Sequence, residues 1–122
     1  MIDALRIDHI CLLVSNLEKS REYYERLFNV SCEFHPRDKK TLMAETDRIH
    51  FFLKEVNMPL EFYENQHLSF EVINIDIVAE KLKENNIKNF EMGTFDDFQY
   101  NNYKWLEWRG LDNIRLECIQ RI

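Results

Sequence analysis

Glycine is nearly absent from this chain, with two among 122 residues, and proline is just as scarce. A phosphate-cradling loop needs several glycines so that bare backbone amides can approach the anion. Neither a G-x-G-x-x-G nor a P-loop pattern occurs, which excludes those nucleotide-binding classes. The three cysteines, Cys11, Cys32 and Cys118, are odd in number and lack C-x-x-C spacing. They suit neither a disulfide framework nor a zinc knuckle, and each reads as a reduced, buried small hydrophobe in a cytoplasmic protein. Positive charge is in deficit, with 16 Lys and Arg against 22 Asp and Glu and a net charge of −6. An acidic surface disfavours nucleic acid and anionic membrane as partners. No apolar run approaches the roughly 20 residues of a membrane span, and the N-terminus lacks the basic and apolar regions of a secretory leader.

What is present is an ordinary globular composition, 45% apolar and 31% charged, on a chain long enough for one packed domain spanning 1–122. The chain also repeats itself. Ile7-Asp8-His9-Ile10 through Val14-Ser15-Asn16-Leu17 aligns with Asn65-Gln66-His67-Leu68 through Val72-Ile73-Asn74-Ile75, an offset of 58 residues (67 − 9). Asp47 through Leu53 aligns with Asp112 through Cys118 at an offset of 65 (112 − 47), so the second copy has gained residues in its interior. Two copies of one supersecondary unit usually share a core. Equivalent groups should then converge near a pseudo-twofold axis, gathering His9, His67, Phe52 and Glu117.

Local patterns give each copy the order βαβββ. Residues 7–14 read as a strand with His9, Cys11 and Leu13 on one face. Ser15 and Glu18 have capping-box spacing, and the stripe Leu17, Ser20, Tyr24, Leu27 and Phe28 predicts a helix ending near Asn29. Strands are expected at 30–36, 40–45 and 48–54, and a linker at 55–65. The second copy has a strand at 66–72 and a helix from about Ile75 to Asn85, with Asn74 as N-cap and Asn85-Asn86 as a left-handed stop. Strands near 88–93, 102–109 and 113–120 complete it. Residues 94–101 read as a loop at the mouth of a cavity.

Imidazole nitrogens and a carboxylate oxygen suit Zn, Fe, Mn, Ni or Co. Two histidines and one carboxylate leave coordination positions open for a substrate. A lone strand histidine is usually a hydrogen-bonded structural group. Here three of four repeat-equivalent positions carry good ligands, which favours metal binding by His9, His67 and Glu117. Phe52 cannot coordinate and either walls a pocket or belongs to the core. His50 is an auxiliary ligand candidate, and His35, beside Pro36, is expected to be an exposed turn residue. Cys11 and Ser69 follow the two histidines by two residues and should line the same cavity, with Tyr103 and Trp105. Glu107, flanked by Trp105 and Trp108, is a general-base candidate if its face is desolvated. Otherwise it pairs with Arg109 on the surface.

With His9, the run Val14-Ser15-Asn16-Leu17-Glu18 into Tyr23-Tyr24, His67-Leu68-Ser69-Phe70-Glu71-Val72 and Asp112 through Glu117, the chain resembles the vicinal oxygen chelate superfamily. That group includes glyoxalase I, extradiol dioxygenases, fosfomycin-resistance enzymes and bleomycin-resistance proteins. The resemblance covers nearly the whole chain. It implies an α+β fold in which two βαβββ modules, about 5–54 and 66–120, form an eight-stranded cupped incomplete barrel with flanking helices. It also implies a divalent metal on His9, His67 and Glu117. Glyoxalase I carries a fourth ligand where Phe52 stands, which argues against that activity. Fosfomycin-resistance enzymes grip a phosphonate with a tyrosine and basic groups. Glu107 stands at the tyrosine's position, and a carboxylate there repels a dianion. The family's turn before the last ligand becomes Gly110-Leu111-Asp112-Asn113, in which Asn tolerates a left-handed conformation.

The expectation is a small cytoplasmic metalloenzyme that chelates an oxygen-bearing small molecule, with Glu107 handling protons and the metal as Lewis acid. The alternative is a non-catalytic protein that sequesters a cationic or aromatic drug. A homodimer is compatible with either.

Overall fold

The computed structural model describes residues 1–96 and 102–122. It divides into two compact units, Met1–Pro59 and Leu60–Ile122. Each is a four-stranded mixed sheet with one long helix, so the fold is α+β and is built from two βαβββ modules.

The first unit contains β1 (Cys11–Val14), α1 (Leu17–Phe28), β2 (Ser31–His35), β3 (Asp38–Glu45) and β4 (His50–Glu55), with sheet order β1-β4-β3-β2. The outer pair β1–β4 is parallel and places Cys11 beside Phe52; the hairpin pairs are antiparallel. Helix α1 packs on one sheet face, with Tyr24 edge-on to Phe51 at a 5.8 Å centroid distance. Leu12, Val14, Leu42, Ala44 and Leu53 complete that buried layer. Full burial of such side chains stabilises a fold by about 1.5–3 kcal/mol each. The alternation in β4 then sends His50, Phe52 and Lys54 to the face without the helix.

The second unit contains α2 (Leu60–Glu64), β5 (His67–Glu71), α3 (Ile75–Glu84), β6 (Phe90–Phe95), β7 (Tyr103–Arg109) and β8 (Arg115–Arg121), ordered β5-β8-β7-β6. Ile75, Ala79 and Leu82 of α3 are buried, as are Phe70, Leu106, Trp108, Leu116 and Cys118 of the sheet. Here Ser69 pairs with Glu117 across the parallel β5–β8 ladder. That is the same rung as Cys11–Phe52 in the first unit, so both repeat offsets survive in the hydrogen-bond register.

Helix starts repeat as well. The N-caps are Asn16, whose side chain accepts from Lys19 N at 2.9 Å, and Asn74, which accepts from Asp76 N at 2.8 Å. Ser15 is therefore outside the cap proper; the asparagine after it supplies the acceptor. Glu55 Oε1 accepts from Leu17 N and Gln120 Oε1 from Ile75 N, so equivalent last-strand side chains satisfy equivalent helix amides. α1 ends at Asn29 with φ 53°.

Four features differ from the sequence expectation. The first strand begins at Cys11: its first ladder bond runs from Phe52 N to Ile10 O, and residues 7–9 lie outside the strand although β4 reaches back to His50. The expected linker 55–65 contains the short helix α2. The expected loop 94–101 begins later, since Thr94 and Phe95 belong to β6, and 97–101 lie outside the described residues. The turn before β8 forms as expected in outline, but Asp112 shares the left-handed conformation with Asn113, at φ 61° and 59°. Among the described residues, no helix is long and apolar enough to cross a membrane.

Candidate functional site

In the second unit, the face away from α3 carries His67, Ser69 and Glu71 from β5 and Arg115, Glu117 and Ile119 from β8. Tyr103, Trp105 and Glu107 from β7 share it. His67 Nε2 lies 3.5 Å from Glu117 Oε1, with Glu117 mostly buried (13% of its side chain exposed) and His67 more open at 38%. A histidine and a carboxylate so disposed have their ligand atoms as close as two donors to one ion need to be. Donors at about 2.0–2.2 Å from a metal are themselves roughly 3–4 Å apart. The residues fit a divalent cation.

Glu107 faces Glu117 directly across the β7–β8 ladder, and Glu91 stands on its other side. Its side chain is half-buried. Its partner is Arg115, not Arg109: the Arg115 guanidinium grips both carboxylate oxygens, through Nε and through Nη2, the latter at 2.9 Å. That fork raises the Arg115 pKa above its ordinary value, the hydrogen bond being the largest cause. Arg109 instead donates to the carbonyls of Glu64 and Asn113. A cleft of about 380 Å³ opens beside Glu107, lined also by Asn89, Phe90, Glu91, Trp108 and Arg109. The Trp105 indole packs against Gly93: a Cβ there would sit 2.6 Å from an indole carbon, so any side chain would push the ring aside. Phe95 and Tyr103 stack at 5.5 Å beside it.

The first unit has the same scaffold with different chemistry. His9 stacks on Phe52 at 4.1 Å, where its counterpart His67 meets Glu117. His50 and His35 also approach the Phe52 ring, at 5.4 and 5.9 Å. Phe52 thus stands among three imidazoles. His35 ends β2, half-buried, with Nδ1 accepting from Arg37 N, so it is not the exposed turn residue expected. His9 Nδ1 donates to Asp8 Oδ2 at 2.8 Å, and this bond is the chief cause holding the Asp8 carboxyl below its ordinary range. Cys11 is exposed, while Cys32 and Cys118 are buried as expected of small hydrophobes. Burial pushes the Cys32 thiol up to about 11 and the Cys118 thiol up to about 12. Sequence reasoning missed Asp8 and Arg115, although both lie beside residues it singled out.

The model of the Glyoxalase/Bleomycin resistance protein/Dioxygenase superfamily matches residues 6–99. The chain belongs to that superfamily. Solved structures with the glyoxalase fold align along nearly its whole length. A virulence protein from Salmonella typhimurium is 18% identical, with 100% of this chain and 99% of that one covered at a TM-score of 0.75. A glyoxalase-family protein from Bacillus anthracis is 15% identical, with full coverage of both chains and a TM-score of 0.74. The fosfomycin-resistance protein FosX from Listeria monocytogenes, solved with Mn(II) and sulfate, is 21% identical; 97% of this chain and 90% of that one are covered, at a TM-score of 0.68. At these identities the likeness establishes the glyoxalase fold. Comparison with curated proteins gave no match.

Proposed function

We propose that this chain is a cytoplasmic metal-dependent enzyme of the glyoxalase superfamily that works as a single domain, as a monomer or homodimer. In this reading His67 and Glu117 hold a divalent ion, and His9 is assigned to the same ion by its repeat equivalence to His67. The observation that carries the proposal is the 3.5 Å approach of His67 Nε2 to Glu117 Oε1 on adjoining strands. The substrate is a small oxygen-bearing molecule. When bound, the ion supplies Lewis acidity toward substrate oxygens.

The remaining work falls to side chains of the second unit. Glu107, one strand from Glu117 and beside the 380 Å³ cleft, is the group that takes or returns a substrate proton. Arg115 orients it by holding both its oxygens. Ser69 and Trp105 line the same sheet face, as Cys11 does in the first unit, with Tyr103 farther along β7. The absence of a fourth ligand at Phe52 continues to argue against glyoxalase I chemistry.

Metal titration of untagged protein tests the reading. Glu117→Ala is expected to weaken the tightest divalent-metal site by about tenfold or more, the scale on which even outer-shell partners act. The fold should survive, because Glu117 stands on the helix-free face. Equal metal affinity in the native protein and a His67→Ala/Glu117→Ala variant would overturn it.

A further inference from the structure

The first unit places Asp8, His9 and His50 so that one ligand atom from each lies within 4.8 Å of the others. We propose that these three residues form an alternative divalent-metal site, complete within the first unit, that takes a borderline transition ion such as Zn(II) or Ni(II). Two imidazoles and one carboxylate are the donor types such ions select, and three protein ligands leave positions open for water or substrate. This inference goes beyond the proposed function and does not rest on it, since it needs neither His67 nor Glu117.

Three observations support a built site. Asp8 already bridges the two rings, with Oδ2 2.8 Å from His9 Nδ1 and 3.8 Å from His50 Nδ1. An ion would replace the proton now shared by His9 and Asp8. The span of 4.8 Å exceeds the roughly 3–4 Å between donors on one ion by an amount that a small side-chain rotation closes. Second, Phe52 organises both imidazoles: His9 stacks on it at 4.1 Å and His50 meets it edge-on at 5.4 Å. Contacts of this kind restrict ring rotation and lower the cost of ordering ligands. Third, Glu45 is paired with His50 across the β3–β4 ladder and adds negative charge beside the cluster.

The repeat shows that this chemistry is particular to the first unit. The positions equivalent to Asp8, His9 and His50 are Gln66, His67 and Arg115. An amide and a guanidinium replace the carboxylate and the second imidazole, and Arg115 is committed to Glu107. Each unit therefore keeps its histidine and finds its carboxylate in a different place: Glu117 from the last strand in one, Asp8 from the entering segment in the other. Because the proposed functional site also claims His9, the two assignments compete for one ring.

Zn(II) titration by calorimetry of the untagged full chain separates them. The His67→Ala/Glu117→Ala variant is expected to retain one Zn(II) per chain at lower affinity, and the free end of the cluster should release protons on binding. Adding His50→Ala to that background should weaken the residual site by about tenfold or more, and Asp8→Asn should do the same. Asp8 lies in the exposed, strand-free entering segment, so its substitution tests the site even if the change in β4 perturbs folding. Loss of all binding in the double variant, or residual binding indifferent to both further substitutions, would overturn the inference. Unchanged native affinity in the double variant would instead overturn the proposed function and leave this site standing.

Discussion

Phe52 and Glu117 occupy the same rung of two similar sheets, and the difference between them sets what each histidine does. Beside Glu117, His67 has a carboxylate at 3.5 Å; beside Phe52, His9 has an aromatic face at 4.1 Å and turns to Asp8 for its hydrogen bond. Glu107 shows how one neighbour decides a residue's role. It stands opposite Glu117 in the ladder, and the Arg115 fork holds both its oxygens, so the proton-handling role proposed for it depends on that one neighbour. Glu107→Gln is expected to leave metal affinity within about twofold of native, because the amide is not a ligand in the proposed set. It should suppress proton exchange of a bound carbonyl substrate analogue, followed by loss of deuterium label. Retained exchange would remove Glu107 from catalysis, and unfolding would make it a structural partner of Arg115 alone.

At the scale of elements, the two helices start alike: an asparagine caps each, and a strand-end acceptor, Glu55 or Gln120, takes the first helical amide. Asn16→Ala and Asn74→Ala should each lower unfolding free energy by about 1 kcal/mol, the usual worth of an N-cap. Chemical denaturation would check this; a loss near zero at either position would mean that the strand-end acceptor suffices there. The repeated asparagine and the apolar stripes made these helices legible in the sequence. The period of two likewise located most strands, while the Cys11–Phe52 and Ser69–Glu117 rungs came only with the register. Strand ends were less legible: the apolar pattern of 7–14 does not say where pairing starts, and β1 is paired from Cys11 although β4 runs back to His50. The same limit hid Asp8. In a strand, neighbours i and i+1 point to opposite faces, so Asp8 and His9 meet only because the ladder has not yet started. Arg115 was hidden differently. Its contact with Glu107 runs diagonally between strands, and the register that sets it also requires the length of the turn at Gly110–Ile114, which pattern alone does not supply.

For the molecule as a whole, both units bury a thiol in the layer between helix and sheet: Cys32 in the first, Cys118 in the second. Burial raises them from the ordinary 9.0 to about 11 and about 12. Below the unfolded value both states are protonated and nothing is lost. As pH rises past it, the unfolded chain ionises first and the native chain does not, so stability falls until the native values are passed. Denaturation midpoints should therefore decline from about pH 9 until the native values of about 11 and about 12 are passed, and Cys118→Ala should flatten that decline. An identical slope in the variant would place the alkaline sensitivity in other groups. The division into two modules of one plan was legible from the offsets of 58 and 65 residues alone, since repeated spacing survives where individual contacts do not.

Cys11 gives the first unit a practical asymmetry. It is the exposed thiol of three, it stands two residues beyond His9, and its rung partner is Phe52. A maleimide dye would therefore attach at one position in the otherwise native chain, next to the cluster of imidazoles. Quenching of that dye by a paramagnetic ion would report occupancy at His9 directly, without a substrate and without an engineered cysteine.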